Sequence, residues 1–73
     1  MKLTRVVSDD WEGVYLDDQL LNQGHSVDVF YALYLAIKAN GALNIHLVST
    51  IRVDEDWLRE VGNLPVHLSE VKV

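Results

Sequence analysis

The tripeptide Gly24-His25-Ser26 and the tryptophan at position 11 are the residues best suited, by type and spacing, to bind a ligand. We predict a helix directly after the tripeptide, and the free backbone N–H groups at a helix N-terminus attract anions. Gly24 would let a ligand approach the backbone, and Ser26 offers a hydroxyl. His25 adds a donor that can carry charge near neutral pH. These residues predict a small anion site.

Trp11 and Glu12 extend this hypothesis to a nucleotide-like ligand. The indole would stack on a base, and the Glu12 carboxylate would accept a hydrogen bond from an exocyclic amine. The predicted ligand-binding residues are therefore Trp11, Glu12, Gly24, His25 and Ser26. A second interpretation needs no ligand: Gly24 ends a strand, Ser26 caps a helix, and His25 fills the space between them.

Catalysis by the same residues is an alternative hypothesis. His25 with Glu12 or Asp10 would form the acid–base pair of a small hydrolase or transferase. The sequence contains no Gly-x-Ser-x-Gly elbow, phosphate loop or dinucleotide fingerprint. His25, His46 and His67 lie on separate predicted elements, without the paired spacing of zinc ligands. We therefore predict a protein with no metal, no cofactor and no enzymatic activity.

Composition restricts the class of protein further. The chain has 73 residues, 49% of them hydrophobic, and no cysteine. We predict a single domain over residues 1–73, and a domain of this size buries only about 60% of the surface that its unfolded chain exposes. Because disulfides and thiolate metal sites are excluded, we expect homo-oligomerisation to supply additional stability.

The charge of the chain bears on its partners. The net charge is −5, and the six Lys and Arg residues are scattered, so we expect no binding to double-stranded nucleic acid. The acidic pairs Asp9-Asp10 and Asp17-Asp18 would either face a basic partner or form solvated turns. The N-terminal residues do not resemble a targeting segment, and no apolar run is long enough for a membrane span. We expect a cytoplasmic protein that does not bind membranes.

Alternation of apolar and polar residues predicts strands over 2–8, 11–16 and 19–23, which would form a three-stranded antiparallel meander. The Asp17-Asp18 pair is a plausible hairpin turn between the second and third strands. A long fourth strand is predicted over 43–53. With two helices, the predicted order is β-β-β-α-β-α, an α+β domain with one antiparallel or mixed sheet.

The first predicted helix covers residues 27–40, with Ser26 as its N-cap and Asn40-Gly41 at its end. It is apolar on nearly all sides, although a helix packed on one sheet needs only one apolar face. Its two apolar stripes are Phe30, Leu33 and Ile37 on one side, and Tyr31, Tyr34 and Leu35 on the far side. The second stripe has no obvious cover within one chain. We therefore predict that Tyr31, Tyr34 and Leu35 form an interface between copies.

The second predicted helix is short. Asp54 caps it and Gly62 stops it, and Trp57, Leu58 and Val61 are expected to point inward. For residues 65–73, two interpretations stay open. The segment forms either a turn of helix that docks through its apolar residues, Leu68 and Val71, or an extended tail.

Two segments carry a resemblance to a known family. Residues 9–29, DDWEGVYLDDQLLNQGHSVDV, resemble the D-W-E-G-x-Y … G-H-S motif of a family of small, largely uncharacterised bacterial and phage proteins. Residues 53–71, VDEDWLREVGNLPVHLSEV, are similar to that family's D-x-x-W-L-x-x-x-G-x-L-P segment. The resemblance does not extend over residues 31–50. It implies a stand-alone, phage-encoded domain without a defined activity.

The resemblance also implies a shared surface, which contains Trp11, Glu12, Gly13, Tyr15, Gly24, His25 and Ser26. By analogy, small acidic phage domains that oligomerise bind a host protein or sequester a signal molecule. We therefore predict a small homo-oligomeric binding protein. It would act by sequestering a nucleotide-like signal molecule or by binding and inhibiting a host defence protein.

Overall fold

The computed structural model describes residues 2–40 and 47–72 and shows an α+β fold, as predicted. In chain order, its elements are strands β1 (Lys2–Val7), β2 (Glu12–Leu16) and β3 (Gln19–Gly24), helix α1 (Val29–Asn40), strand β4 (Leu47–Arg52), helix α2 (Glu55–Val61) and a 3-10 turn (Leu68–Glu70). Neither of the helices in these residues is long and apolar enough to cross a membrane.

The four strands form one mixed sheet in the order β3-β2-β1-β4. Strand β2 pairs antiparallel with both β1 and β3, whereas β4 pairs parallel with β1. The turn between β2 and β3 lies at Asp17-Asp18, as predicted, and Asp17 has φ 52°, a conformation that aspartate tolerates. Of the fourth strand predicted over 43–53, residues 43–46 lie outside the described residues.

Each face of the sheet carries its own apolar core, because successive side chains of a strand point to opposite faces. The α1-side core consists of Leu3, Val14, Leu16, Val27, Ala32 and Ala36. The α2-side core consists of Val6, Tyr15, Val53, Leu58 and Leu64. Strand β2 lies between β1 and β3, and its last four residues are all buried.

Helix α1 begins after Asp28, and the prediction that Ser26 caps it was wrong. The Asp28 carboxylate accepts hydrogen bonds from the N–H groups of Phe30 and Tyr31, at 3.0 Å and 3.2 Å. Ser26 is exposed two residues earlier. Serine and aspartate are comparable caps, so a tertiary contact decides between them. The Val27 N–H donates to the Glu12 carboxylate, which keeps this residue outside the helix.

The face of α1 that packs on the sheet consists mainly of small residues. Ala32 and Ala36 are buried, and Leu33 packs at the margin of the α1-side core. Alanine lets the helix backbone approach the sheet closely. Phe30 and Ile37, which the sequence groups with Leu33 in one stripe, are exposed instead.

Helix α2 has the predicted boundaries. The Asp54 carboxylate accepts from the Trp57 N–H at 3.1 Å, and Gly62 ends the helix at φ 85°, with its N–H bonded to the Leu58 carbonyl. Leu58 is buried as expected. The prediction that Val61 points inward was wrong, because its side chain is 51% exposed.

The C-terminal segment runs beside β3 and covers its outer edge. The Leu20 N–H donates to the Val66 carbonyl, and the Leu68 N–H donates to the Asp18 carbonyl, each at 2.8 Å. Leu68 and Val71 pack against the α2-side core. The segment therefore contains the docked turn, the first of the two predicted alternatives.

Leu64 packs directly over Gly13, and this close contact predicts that a side chain at position 13 would destabilise the fold. A Cβ atom at position 13 would lie 2.5 Å from Leu64 Cδ1, and Leu64 is 3% exposed. We expect Gly13→Ala to lower the free energy of unfolding by about 1–3 kcal/mol through overpacking, as measured by urea denaturation. Gly24→Ala is the matched control, since its nearest neighbouring atom is 3.8 Å away. Equal effects of the two substitutions would contradict this account.

Candidate functional site

A shallow cleft opens between the β1–β2 connection and α2. Its volume is about 110 Å³, which is below the roughly 300–1,000 Å³ of pockets that enclose drug-sized ligands. The cleft is lined by Ser8, Asp10, Trp11, Glu55, Leu58, Arg59 and Gly62. Of the five predicted ligand-binding residues, one, Trp11, lines this cleft.

Trp11 is half-buried and packs against the α2-side core. Its indole Nε1 donates a hydrogen bond to Gln23 Oε1 at 3.0 Å. Its ring meets the His25 ring edge to face, with 5.0 Å between the ring centroids. The structure therefore brings Trp11 and His25 together, as the ligand hypothesis requires, but the indole donor is already used within the chain.

Gln23 is a residue of this region that the sequence analysis missed. Its Oε1 also accepts from the Leu64 N–H at 2.8 Å, and its Nε2 donates to the Leu64 carbonyl at 3.3 Å. The Gln23 side-chain amide therefore makes two hydrogen bonds to the backbone of Leu64, in the way that a residue of a paired strand does. No sequence pattern marks this contact, because its two residues lie 41 positions apart.

His25 is held by the backbone of Asp10, with 2.9 Å between Nδ1 and the carbonyl oxygen. Because a carbonyl oxygen only accepts, Nδ1 carries a proton in this contact, and Nε2 of the neutral ring is left as an acceptor. The contact involves the peptide group of Asp10 and not its carboxylate. It is therefore not the acid–base pair that the hydrolase hypothesis needs.

Glu12 belongs to the other face of the sheet. Its carboxylate accepts from the Val27 N–H at 2.6 Å and from the Arg5 guanidinium at 2.8 Å. The hydrogen bond from Val27, aided by Arg5, lowers the pKa of Glu12 below its ordinary value although partial burial opposes this. Glu12 is therefore an anchor for the segment that leads into α1, and its oxygens are occupied.

The N-terminus of α1 differs from the predicted anion site. Asp28 places its own carboxylate on the first free N–H groups of the helix, which are the groups that would bind a phosphate. Gly24 pairs with Glu12 at the end of β3, and Ser26 is exposed without a capping role. The negative charge of Asp28 disfavours an anionic ligand here.

The cleft itself is acidic. Asp10 and Glu55 contribute carboxylates, and Arg59 is the cation of the lining, 3.6 Å from Glu55. The pKa of Glu55 is raised, chiefly because its carboxyl shares a hydrogen bond with that of Asp9 and also because the two groups repel each other. A cleft with this charge offers little attraction to a phosphate group.

Metal binding finds no support in residues 2–40 and 47–72, where no group of three or more His, Cys, Asp or Glu side chains is arranged around one point. His67 instead contacts the Asp18 carboxylate, at 3.1 Å from Nδ1. His46 lies outside the described residues. Gly13 and Tyr15, which the resemblance places on the shared surface, are both buried.

Comparisons with known proteins leave the family open. No family model, curated protein or solved structure matches this chain. The resemblance to small bacterial and phage proteins therefore stays a prediction from the sequence. The same holds for the ligand-binding role of the residues around Trp11.

The lowered pKa of Glu12 predicts how stability depends on pH. The carboxylate form makes the bonds to Val27 and Arg5, so its stabilisation is complete above the ordinary pKa of 4.5 and is lost as the pH falls through the lower folded-state value. We expect Glu12→Gln to reduce the free energy of unfolding at neutral pH and to flatten its decline in acid, as measured by urea denaturation between neutral and acidic pH.

Glu60→Gln, at an exposed position of α2, is the control for this experiment. It should retain the acid dependence of the parent protein. An unchanged dependence in Glu12→Gln would show that Glu12 does not anchor the segment before α1.

Proposed function

We propose that this chain is a non-catalytic binding protein that self-associates through α1. The observation that carries the proposal is the apolar surface that α1 leaves uncovered. Phe30 is 85% exposed, and Tyr31 and Tyr34 are each 55% exposed. Together with Leu35 and Ile37, these residues make up what we call the exposed α1 face.

Burial of the exposed α1 face between two copies would remove a large apolar area from water. Aromatic side chains each bury about 150–250 Å², and monomeric proteins rarely expose contiguous apolar patches larger than a few hundred Å². The Tyr31 and Tyr34 rings lie 6.4 Å apart and nearly parallel, so part of this surface is already ordered. Such a contact would add stability to the folded chain, because a domain of 73 residues buries a smaller fraction of its surface than a larger one does.

The geometry favours a protein over a nucleotide as the captured target. The cleft beside Trp11 is small and acidic, and Asp28 occupies the helix N-terminus that would hold a phosphate. A net charge of −5 favours a partner with basic groups. Inhibition of a host defence protein is the role that the sequence resemblance adds to this proposal.

Substitutions on α1 test the self-association. We expect Tyr34→Glu and Phe30→Glu to lower the mass of the assembly, because each would place a carboxylate in an apolar contact. The measurement is size-exclusion chromatography with light scattering. Val61→Glu is the matched control, because Val61 is 51% exposed and lies on α2, which packs on the opposite face of the sheet from α1. An unchanged mass with unchanged stability in both α1 variants would refute the proposal.

The nucleotide alternative keeps one supporting observation, the contact between Trp11 and His25. Native mass spectrometry with a mixture of nucleotides, followed by heat extraction, tests it together with the hydrolase alternative. We expect spectra of protein alone and nucleotides returned unchanged. Retention by the parent protein that is lost in His25→Ala would instead establish capture, and altered nucleotides would establish catalysis.

A further inference from the structure

We propose that residues 65–72, which we call the C-terminal strap, open from the sheet as a unit when the Asp18 carboxylate is protonated. The rest of the described fold, from β1 to Leu64, stays folded in this step. The inference is independent of the proposed self-association, because the α1-side core contains no residue of the strap. It concerns a conformational change within one chain that acid would drive.

The polar contacts of the strap converge on Asp18, in the turn between β2 and β3. The Asp18 carbonyl accepts from the Leu68 N–H at 2.8 Å. The Asp18 carboxylate accepts from the Ser69 N–H at 2.8 Å and lies 3.1 Å from His67 Nδ1. A hydrogen bond to a charged acceptor is stronger than one to a neutral acceptor. Three neighbouring strap residues are therefore held by one turn residue, and two of them contact its charge.

The strap contributes little buried apolar surface to the fold. Leu68 and Val71 are half-buried at the margin of the α2-side core, and Val66 is 60% exposed. Leu64, directly before the strap, is only 3% exposed and is bonded to Gln23 through both its N–H and its carbonyl. Segments with few buried apolar contacts open at a lower free energy than the whole fold. Opening should therefore stop at Leu64.

Single hydrogen bonds hold the strap at other points. The Tyr15 hydroxyl donates to the carbonyl of the first strap residue. The Leu20 N–H donates to the Val66 carbonyl at 2.8 Å, and the Asp54 N–H donates to the Lys72 carbonyl at 3.2 Å. The net contribution of each such bond is modest, because water takes the place of the partner when the strap leaves. The charge of Asp18 therefore decides the balance between the closed and open strap.

Other ionisable groups surround Asp18. In the described part of the chain, they are His67 and Glu70 of the strap, Tyr15 of β2, Asp17 of the same turn and Lys2 at the start of β1. Burial and the charges of Asp18 and Glu70 raise the pKa of Tyr15 to about 12, so this hydroxyl stays a donor in acid. Among these groups, Asp18 is the carboxyl that accepts hydrogen bonds from the strap.

The contacts of Asp18 set the direction of the pH effect. The Ser69 N–H chiefly, aided by the Ser69 hydroxyl and His67, holds the pKa of Asp18 below its ordinary value of 3.8, although partial burial opposes this. The carboxylate form makes these contacts, so their hold on the strap is complete above pH 3.8. It is lost as the pH falls through the lower folded-state value.

Hydrogen exchange of the full chain, followed amide by amide by NMR, tests the inference. After correction for intrinsic exchange rates, protection of the Leu20 and Leu68 amides should fall roughly tenfold in acid as the strap opens. Amides of the β1–β2 ladder should keep their protection over the same pH range. An equal loss in both sets would show that acid unfolds the whole molecule, which refutes a separate opening of the strap.

Substitutions identify the group that titrates. Asp18→Asn removes the charge, so it should lower the protection of the strap amides at neutral pH and abolish its further decline in acid. Asp17→Asn is the matched control in the same turn, because Asp17 accepts from the Lys2 N–H and should leave the strap unaffected. His67→Gln keeps a donor without the imidazole and should keep the acid decline. A decline that persists in Asp18→Asn, or is lost in His67→Gln, refutes the role of Asp18.

A second comparison separates the strap from the other acid-sensitive contact, between Glu12 and Val27. In Glu12→Gln, the strap amides should keep their acid decline, because Glu12 belongs to the other face of the sheet. In Asp18→Asn, the Val27 amide should keep its own decline. Loss of the strap decline in Glu12→Gln would refute the inference. Since these exchange measurements do not depend on the mass of the assembly, failure of the proposed self-association is a distinct result.

Discussion

The hydrogen bond from the Val27 N–H to the Glu12 carboxylate ties the segment before α1 to the sheet. It fixes the residue before Asp28 against the sheet, so the helix begins with a set rotation about its own axis. That rotation turns Ala32 and Ala36 inward and leaves the large apolar residues outside. The start of the helix therefore depends on Glu12, a residue of the neighbouring sheet.

Much of the fold follows from local signals in the sequence. The Asp17-Asp18 turn and the two ends of α2, at Asp54 and Gly62, depend on residues that lie within a few positions of one another, and the sequence predicts them correctly. The start of α1 depends on Glu12, which is remote in sequence, so Ser26 is a reasonable but wrong choice of cap. Local sequence patterns therefore predict the helices and strands and those boundaries that depend on neighbouring residues. Boundaries that depend on contacts between elements, such as the start of α1, cannot be predicted in this way.

The sequence predicts the candidate site less well than it predicts the fold. Residue type alone predicts that Trp11 and His25 are available for a ligand, and the fold does bring their rings together. Residue type cannot predict that Gln23 Oε1 accepts the hydrogen bond of the indole, or that the Asp28 carboxylate accepts from the free N–H groups at the start of α1. Both facts arise from the pairing of side chains with backbone groups, which leaves no periodic pattern in the sequence.

The contacts of the C-terminal segment have a consequence for how the molecule is made. Tyr15 bonds to the Pro65 carbonyl 50 residues later, and Asp18 bonds to Ser69 51 residues later. Contacts at such separations close large loops and slow the folding of small proteins. During synthesis, strands β2 and β3 therefore lack these partners until residues 65–69 have been made. Until then, the apolar face beneath Leu64 is bare, and transiently exposed apolar surface of this kind is prone to misassociation.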